Sequence, residues 1–393
     1  MADIILDGKP LPVGGVCDDA FEPVRDAFIR NFTELGEPGA AIALSVGGHV
    51  VVDLWAGWKD RARNEPWRRD TLVNFFSVGK ALTSVCALRL VEKGLVDLDQ
   101  PLTRHWPEFG AHGREDITLR HVLSHQAGLP AVRAPLADGA MLDWPLMIRA
   151  LEAETPWWRP GAAHGYHVNT FGYLVGEIVR RVTGATLGAL LRNEIAGPLG
   201  ADVHIGLAPS EHTRVAEYLW PEGVRPGAPA SGLSENALMR WNAYWNPTGI
   251  SGAGWVNTPE WRSAEIPSTN GHGTAHGVAR IYAALANGGS IDGVDILGSS
   301  VLREAVTEQS AGPDLILERN SRFGLGFQLP LPERPFGPNA GAFGHFGAGG
   351  SLGFCDPESG VAFAYVTNDM GPRWQNPRNG ALLAAIYASL KQA

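Results

Sequence analysis

The sequence predicts an α/β (α+β) fold, in which an antiparallel sheet built from both termini is flanked by helices and carries a mostly helical inserted subdomain. Two groups of segments support this prediction. Apolar, β-rich runs at 40–46 and 49–55 are separated by Gly47-Gly48, which is typical of a β-hairpin. Further strand-like segments follow towards the other end of the chain, at 323–329, 341–346, 351–355 and 361–367.

Helical patterns fill most of the remaining chain. An amphipathic helix is expected over 18–36, where Phe21, Val24, Phe28 and Phe32 lie roughly on one face. Apolar spacing, cap residues and terminating glycines predict further helices at 77–93, 117–125, 143–154, 170–182, 187–195, 274–287 and 381–390.

The 393 residues are long enough for two subdomains. Residues 1–82 and 271–393 are predicted to form the sheet subdomain, and 83–270 a helical and loop-rich subdomain, with the active site between them. The loop-rich stretch from about 205 to 270 carries Trp220, Trp241, Trp245, Trp255 and Trp261. Two interpretations of these tryptophans stay open, a pocket for an apolar ligand and an ordinary core.

Composition excludes several classes of partner. The net charge is −9 and no basic block occurs, which argues against nucleic acid and against an anionic membrane surface. No run of 18 apolar residues is present, and the first residues lack the pattern of a secretory signal. The three cysteines are far apart and fit no zinc spacing. We therefore expect a cytoplasmic protein, and the oligomeric state stays open.

The stretch 74–88 combines a serine, a lysine and an apolar helix. It holds an S-x-x-K motif, Ser77-Val78-Gly79-Lys80, in a chain with only five lysines. The residues after Lys80 predict a buried helix that ends at Gly94 and has Ser77 in its first turn. Lys80 then shares a helix face with Ser77, and burial favours its neutral form. The pair predicts a serine nucleophile activated by lysine, although a lone S-x-x-K match is usually accidental.

Two later segments offer the other groups that such a site needs. Tyr166 lies in a loop that leads directly into a helix, where its hydroxyl can carry a proton to a leaving group. In His345-Phe346-Gly347-Ala348 the glycine allows close approach of a substrate carbonyl. The N–H groups of Ala348 and Ser77 are expected to form an oxyanion hole. Structural roles for Tyr166 and His345 are the alternatives.

Neither a metal nor a cofactor is expected. Histidines occur in close pairs, His121 with His125 and His164 with His167, but none belongs to a carboxylate-supported metal motif. A chelator is therefore expected to leave the activity unchanged.

Taken together and in this order, the three segments resemble the S-x-x-K, Y-x-N and K-T-G motifs of the serine β-lactamase and penicillin-binding-protein superfamily. They read Ser77-Val78-Gly79-Lys80, Tyr166-His167-Val168 and His345-Phe346-Gly347 here. The class C type is nearest, and within it the family VIII carboxylesterases, over about residues 20–390. The resemblance implies a serine carboxylesterase in which Ser77 attacks an ester, Lys80 and Tyr166 act as the base, and Tyr166 protonates the leaving alcohol.

Two positions depart from the motifs, and they bear on the substrate. Val168 stands where the family has asparagine, and His345 where it has lysine. In lactam-active members those side chains help to hold the β-lactam, so short-chain or aromatic esters are expected, with weak β-lactam hydrolysis. Because a histidine is ordinarily uncharged above pH 7, replacing His345 with lysine is expected to matter most at pH 8.

Other activities stay open as alternatives on the same site. They are β-lactam hydrolysis, D-aminopeptidase action and acyl transfer to an alcohol. A catalytically inactive penicillin-binding-like receptor is the alternative from a different functional class.

Overall fold

The centre of the fold is an antiparallel sheet whose strands come from both ends of the chain. The structure is a computed structural model that describes residues 4–6, 8–221, 229–371 and 374–391. The strands of these residues are β1 Ile5–Leu6, β2 Lys9–Pro10, β3 Val13–Cys17, β4 Gly39–Val46, β5 His49–Gly57, β6 Val73–Asn74, β7 Val203–His204, β8 His272–Gly273, β9 Ser290–Ile291, β10 Val294–Asp295, β11 Ser310–Pro313, β12 Asn320–Phe323, β13 Phe343–Phe346, β14 Leu352–Asp356 and β15 Val361–Thr367. Six of them form the central sheet in the order β13-β14-β15-β4-β5-β3, every neighbouring pair being antiparallel. The predicted fold class is confirmed.

The β4–β5 hairpin shows how the sequence sets the register of this sheet. Gly47 and Gly48 both have positive φ, +58° and +84°, as a two-residue type I′ turn requires. Val46 then pairs with His49 across the turn. Along β4, Ala41 and Ala43 face one hydrophobic core, while the alternate residues between and beside them face another.

Helices cover both faces of the sheet. They are α1 Glu22–Thr33, α2 Val78–Glu92, α3 Leu119–Leu123, α4 Trp144–Glu152, α5 Thr170–Thr183, α6 Leu187–Leu191, α7 Gly197–Leu199, α8 Glu235–Trp245, α9 Pro259–Ser263, α10 Ala275–Ala286, α11 Ser299–Ala305 and α12 Pro377–Leu390. The terminal helices α1 and α12 pack on each other over one face, and α10 packs against β4, β14 and β15 on the other.

Helix α2 lies at the centre of the larger core. Its residues from Val78 to Leu88 are buried, and it contacts α5, α6 and β13. It ends, as predicted, before Gly94, which adopts the left-handed conformation with φ +68°. A helix buried on all sides places every polar side chain it carries in an apolar environment, which matters for Lys80.

Several features differ from the sequence predictions. Helix α8 was expected to be loop, but the Ser234 side chain caps its N-terminus and its Met239 and Ala243 are buried. The predicted strand 323–329 ends at Phe323, because Gly326 turns the chain with φ +80° and donates its N–H to Leu123 O. The edge strand β3 was missed altogether.

The larger core contains side chains from both predicted subdomains. Ala43 and Val278 belong to the sheet part, Leu123 and Val175 to the helical part, and all four lie in one cluster. The division into two subdomains stays a prediction. No helix of the described ranges is long and apolar enough to cross a membrane, and the cytoplasmic location also stays a prediction.

Candidate active site

Ser77 lies at a sharp turn between β6 and α2. Phe76, the residue before it, adopts the left-handed conformation with φ +50°, which is uncommon for a bulky side chain. The Phe76 ring packs edge-on against Tyr218 with ring centres 4.8 Å apart, which helps to hold the turn. Ser77 is the N-cap residue of α2 and is 7% exposed. Its backbone N–H has no hydrogen-bond partner among the described residues.

Lys80 is one helical turn further along and completely buried. Its Nζ lies 3.1 Å from Ser77 Oγ, 2.7 Å from the carbonyl oxygen of Val168 and 3.0 Å from that of Ser268. The S-x-x-K spacing therefore brings the two side chains together as predicted. Burial lowers the pKa of Lys80 well below its ordinary value of 10.5, and no acidic group opposes this shift.

The three neighbours of Lys80 define what its neutral amine does. A neutral amine has two N–H donors and one lone pair. Because the carbonyls of Val168 and Ser268 can only accept, they take both donors, and the lone pair is left for the hydroxyl of Ser77. The geometry thus directs the basic site of Lys80 at Ser77 and supports proton abstraction from it.

Tyr166 lies beside this pair, as predicted. Lys80 Nζ is 4.7 Å from the centre of the Tyr166 ring, which stacks on Phe323 with ring centres 5.9 Å apart. Burial raises the pKa of Tyr166 well above its ordinary value, while the nearby Ser77 hydroxyl acts in the opposite direction. The Tyr166 hydroxyl has no hydrogen bond within 3.5 Å among the described residues. Tyr166 is therefore a neutral phenol that can donate a proton.

Asp314 holds Tyr166 in place, and the sequence did not single it out. Its Oδ1 accepts the backbone N–H of Tyr166 at 3.0 Å, as well as those of Ile316 and Leu317. Its Oδ2 accepts the hydroxyl of Ser321. This buried carboxylate ties the Tyr166 loop to the β11–β12 hairpin. No local pattern signals such a contact, because 148 residues separate the partners.

His345 is fully buried, and this corrects one prediction. Its Nδ1–H donates to the Phe346 carbonyl at 2.6 Å, which leaves a lone pair on Nε2 without a partner among the described residues. Burial lowers the pKa of His345 to about 3. The side chain is therefore neutral at pH 6 as well as at pH 8, and the expected contrast between these pH values is wrong.

The end of β13 runs directly past the turn that carries Ser77. A Cβ atom at Gly347 would lie 2.3 Å from the carbonyl oxygen of Phe75, so only glycine fits there. The next residue, Ala348, has a backbone N–H without a hydrogen-bond partner in the described part of the chain. Two unpaired N–H donors, those of Ser77 and Ala348, thus belong to adjoining segments.

Val168 contributes to the site through its backbone. Its carbonyl oxygen accepts from Lys80, while its side chain packs with Tyr166 in an apolar cluster. The neighbouring Asn169 is engaged elsewhere, because its amide donates to Ala243 O and Ser251 Oγ and accepts from Thr269. It therefore offers no substitute for the asparagine of the family motif.

Both histidines of the pair His164 and His167 have structural partners. His167 accepts the N–H of Leu129 on Nε2 and donates from Nδ1 to Gly165 O, so its neutral tautomer is fixed. His164 contacts Ser321, whose hydroxyl proton goes to Asp314 and not to the histidine, so this second serine is not activated. Within the described ranges no group of three His, Cys, Asp or Glu residues could hold a metal ion.

The aromatic residues around Tyr166 are mostly not the five tryptophans of the loop-rich stretch, for which a pocket and a core both stayed open. Trp261 is buried in the large core, where its Nε1 donates to Asn74, and Trp220 and Trp255 pack against the same core. The half-buried aromatic side chains that pack with the Tyr166 cluster are Trp157, Trp158, Tyr244 and Trp374. Distant segments supply them, so a count of tryptophans in one stretch did not locate the apolar surface.

Comparison with known proteins decides the family. A family model described as Beta-lactamase matches residues 26–388, nearly the whole chain. The chain belongs to the β-lactamase family. The resemblance found in the three motifs is thereby confirmed.

Two relatives of this β-lactamase-like protein carry names of esterases. Esterase/beta-lactamase LipL of Mycobacterium tuberculosis is 38% identical over 387 residues, which cover 97% of this chain and 88% of LipL. Esterase EstB of Burkholderia gladioli is 27% identical over 393 residues, covering 89% of this chain and 91% of EstB.

Solved structures of similar proteins agree with this relationship. A family VIII carboxylesterase is 37% identical with a TM-score of 0.88, over 96% of this chain and all of that one. A penicillin-binding protein homologue from Caulobacter crescentus is 41% identical with a TM-score of 0.87 over the same shares. The chain is thus a β-lactamase-like serine hydrolase.

Proposed function

We propose that the protein hydrolyses carboxylic esters through an acyl-enzyme on Ser77, with Lys80 as the base and Tyr166 as the proton donor. The observation that carries this proposal is the set of three contacts of Lys80, which direct its lone pair at Ser77 Oγ. The esterase names of the full-length relatives and of a solved structure support the choice of substrate class.

In the first step, Ser77 Oγ attacks the ester carbonyl carbon while its proton passes to Lys80 Nζ. Since burial lowers the pKa of Lys80 and favours its neutral form, the base is available without histidine. The resulting ammonium ion stays next to the negative charge that develops on the substrate oxygen, which lowers the barrier. Below the folded-state pKa of Lys80 the amine is protonated, so activity falls as the pH decreases.

The developing oxyanion accepts hydrogen bonds from the backbone N–H groups of Ser77 and Ala348. Both donors lack partners in the described residues, and the contact between Gly347 and Phe75 O brings their segments together. Donors that are already oriented cost no reorganisation in the transition state.

In the collapse of the intermediate, the bond to the alcohol oxygen breaks and Tyr166 donates its phenolic proton to that oxygen. The proton held by Lys80 then restores the Tyr166 hydroxyl. Water attacks the acyl-enzyme by the same route, with Lys80 accepting its proton, and Ser77 is released with the carboxylic acid. The raised pKa of Tyr166 suits this role, because a phenol is needed at the moment of transfer.

The site favours esters over β-lactams. The polar groups that the resemblance associates with β-lactam binding are replaced by Val168, whose side chain is apolar, and by His345, which is neutral. The surrounding aromatic side chains, Trp157, Trp158 and Tyr244, offer apolar contact area to an acyl chain or an aromatic alcohol. Short-chain and aromatic esters are therefore the proposed substrates, with weak β-lactam hydrolysis.

Ser77→Ala is expected to abolish hydrolysis of p-nitrophenyl butyrate without unfolding the protein, since loss of a nucleophile costs several orders of magnitude in rate. Ser84→Ala is the matched control, because Ser84 is a buried serine of the same helix whose hydroxyl donates to a backbone carbonyl. The measurement is kcat/KM together with the melting temperature. More than about a tenth of the wild-type rate in Ser77→Ala would assign the nucleophile elsewhere.

Gly347→Ala is expected to lower kcat about 100-fold, because the added methyl group pushes β13 away from Phe75 and displaces the Ala348 N–H. Gly341→Ala, just before the same strand, has open space around the added Cβ and is expected to keep wild-type activity. Equal kcat values in the two variants would argue against Ala348 as an oxyanion donor.

The ratio of nitrocefin to p-nitrophenyl butyrate turnover is expected to be small and equal at pH 6 and pH 8, because His345 is neutral at both. His345→Lys is expected to raise this ratio by placing a stronger base and potential cation at the position. His49→Lys, at an exposed histidine, controls for the added lysine. A wild-type ratio that rises several-fold at pH 6 would mean that His345 gains a proton there.

A further inference from the structure

Arg319, in the turn between β11 and β12, is a half-buried cation close to the catalytic tyrosine. Its guanidinium carbon lies 5.3 Å from the centre of the Trp374 ring. The same ring lies 5.1 Å from the ring of Tyr166, with the two planes at 63°. One aromatic side chain therefore separates the guanidinium from the proton donor of the reaction.

This guanidinium has no hydrogen bond and no ion pair with any described residue, in contrast to its arginine neighbours. Arg322 pairs with Glu308 at 2.7 Å, and Arg334 contacts Glu333 at 3.3 Å. An arginine keeps its charge at neutral pH and has five N–H donors to satisfy. The half-buried guanidinium of Arg319 has no anion in direct contact among the described residues, and a bound anion would give it a charge-assisted hydrogen bond.

The acidic groups near Arg319 are committed to other partners. Asp314 accepts three backbone N–H groups and the Ser321 hydroxyl. Glu318, next in sequence, pairs with Arg240 at 3.3 Å. The remaining titratable groups that act on Arg319 are Arg334 and the phenols of Tyr244 and Tyr166. Among these groups only the Asp314 carboxylate attracts the guanidinium at neutral pH, and the two side chains share neither a hydrogen bond nor an ion pair.

Arg319 and Trp374 also line a common cavity with Phe323 and Phe346. Phe323 stacks on Tyr166, and Phe346 lies two residues before Ala348, so the cavity adjoins the proposed reaction centre. The cavity is small, about 30 Å³, and Arg322, Arg334 and several uncharged polar residues line it together with the apolar ones. A carboxylate is small enough to lie there beside Arg319, with the rest of the substrate outside the cavity.

From this geometry we propose that Arg319 is a specificity-determining residue, which recognises a carboxylate on the substrate. The preferred substrates are then esters that carry an anionic group a few carbon atoms from the ester carbonyl. This inference rests on the proposed esterase function and names a substrate class for it. It differs from β-lactam recognition, because the carboxylate of a β-lactam is held rigidly next to the reacting amide, whereas a flexible chain can extend past Tyr166 to Arg319.

Three substrates of equal acyl length test this inference. Phenyl hydrogen adipate carries the carboxylate on the acyl side, 4-carboxyphenyl hexanoate carries it on the alcohol side, and phenyl hexanoate is the neutral reference. The proteins are the wild type, Arg319→Gln, Arg319→Lys and, as the control, Arg280→Gln, which removes a paired arginine that does not line this cavity. The measurement is kcat/KM at low salt, with the melting temperature of each variant.

Arg319→Gln is expected to lower kcat/KM for one of the two anionic esters by about 10- to 100-fold, the usual value of a charge-assisted hydrogen bond, and to change the rate for phenyl hexanoate less than about twofold. The ester that responds identifies the side that carries the anion. Arg319→Lys keeps the positive charge but lacks the planar guanidinium group. Its kcat/KM for the responding ester is expected to lie between the values of the wild type and Arg319→Gln. Arg280→Gln is expected to behave like the wild type.

Two results would overturn the inference while leaving the esterase proposal intact. One is an equal loss for the neutral and the anionic esters in Arg319→Gln, which indicates a structural role. The other is an unchanged rate for both anionic esters in Arg319→Gln and Arg319→Lys. No hydrolysis of any of the three esters by the wild type would overturn the esterase proposal itself, and this inference with it.

Discussion

The structure depends on one constraint, the burial of a lysine amine in the apolar core of the protein. Lys80 belongs to a helix that is surrounded by other elements, so its ammonium form loses most of its hydration. Two backbone carbonyls then satisfy the N–H groups of the neutral amine. Lys80, the base proposed for Ser77, therefore lies in the centre of the core and not on the surface of a cleft.

The remaining elements bring other groups to this lysine. The loop before α5 supplies the Val168 carbonyl and the Tyr166 ring, and Asp314 ties that loop to the β11–β12 hairpin. From the opposite side, β13 approaches so closely that only glycine fits at 347. The site is thus assembled from three distant parts of the chain around one helix, which explains why a sheet formed from both termini is needed.

Local signals in the sequence made much of the fold and of the candidate site predictable. The S-x-x-K spacing, Gly47-Gly48 and the terminating Gly94 each specify a conformation within a few residues, and the structure has them as predicted. The protonation of His345 could not be predicted in this way, because its pKa depends on complete burial by distant segments. The role of Asp314 could not be predicted for a related reason, since it depends on a contact between two loops that are distant in sequence.

The aromatic surface shows the same limit of local reasoning. For the five tryptophans between 220 and 261, the sequence left both a pocket and an ordinary core open. Trp261 is a core residue, and Trp374, from the other end of the chain, contacts Tyr166. Composition shows that aromatic area exists, whereas tertiary packing decides which part of it faces the site.

The central claim, that Lys80 is a neutral base directed at Ser77, can be tested by a direct pH titration. With only five lysines in the chain, NMR of protein labelled at the lysine Cε carbons gives few signals, and Lys80→Arg identifies that of Lys80. The account predicts that the Lys80 signal titrates well below pH 10.5, the ordinary value for a lysine. A Lys80 ammonium that persists to pH 10 would contradict the account.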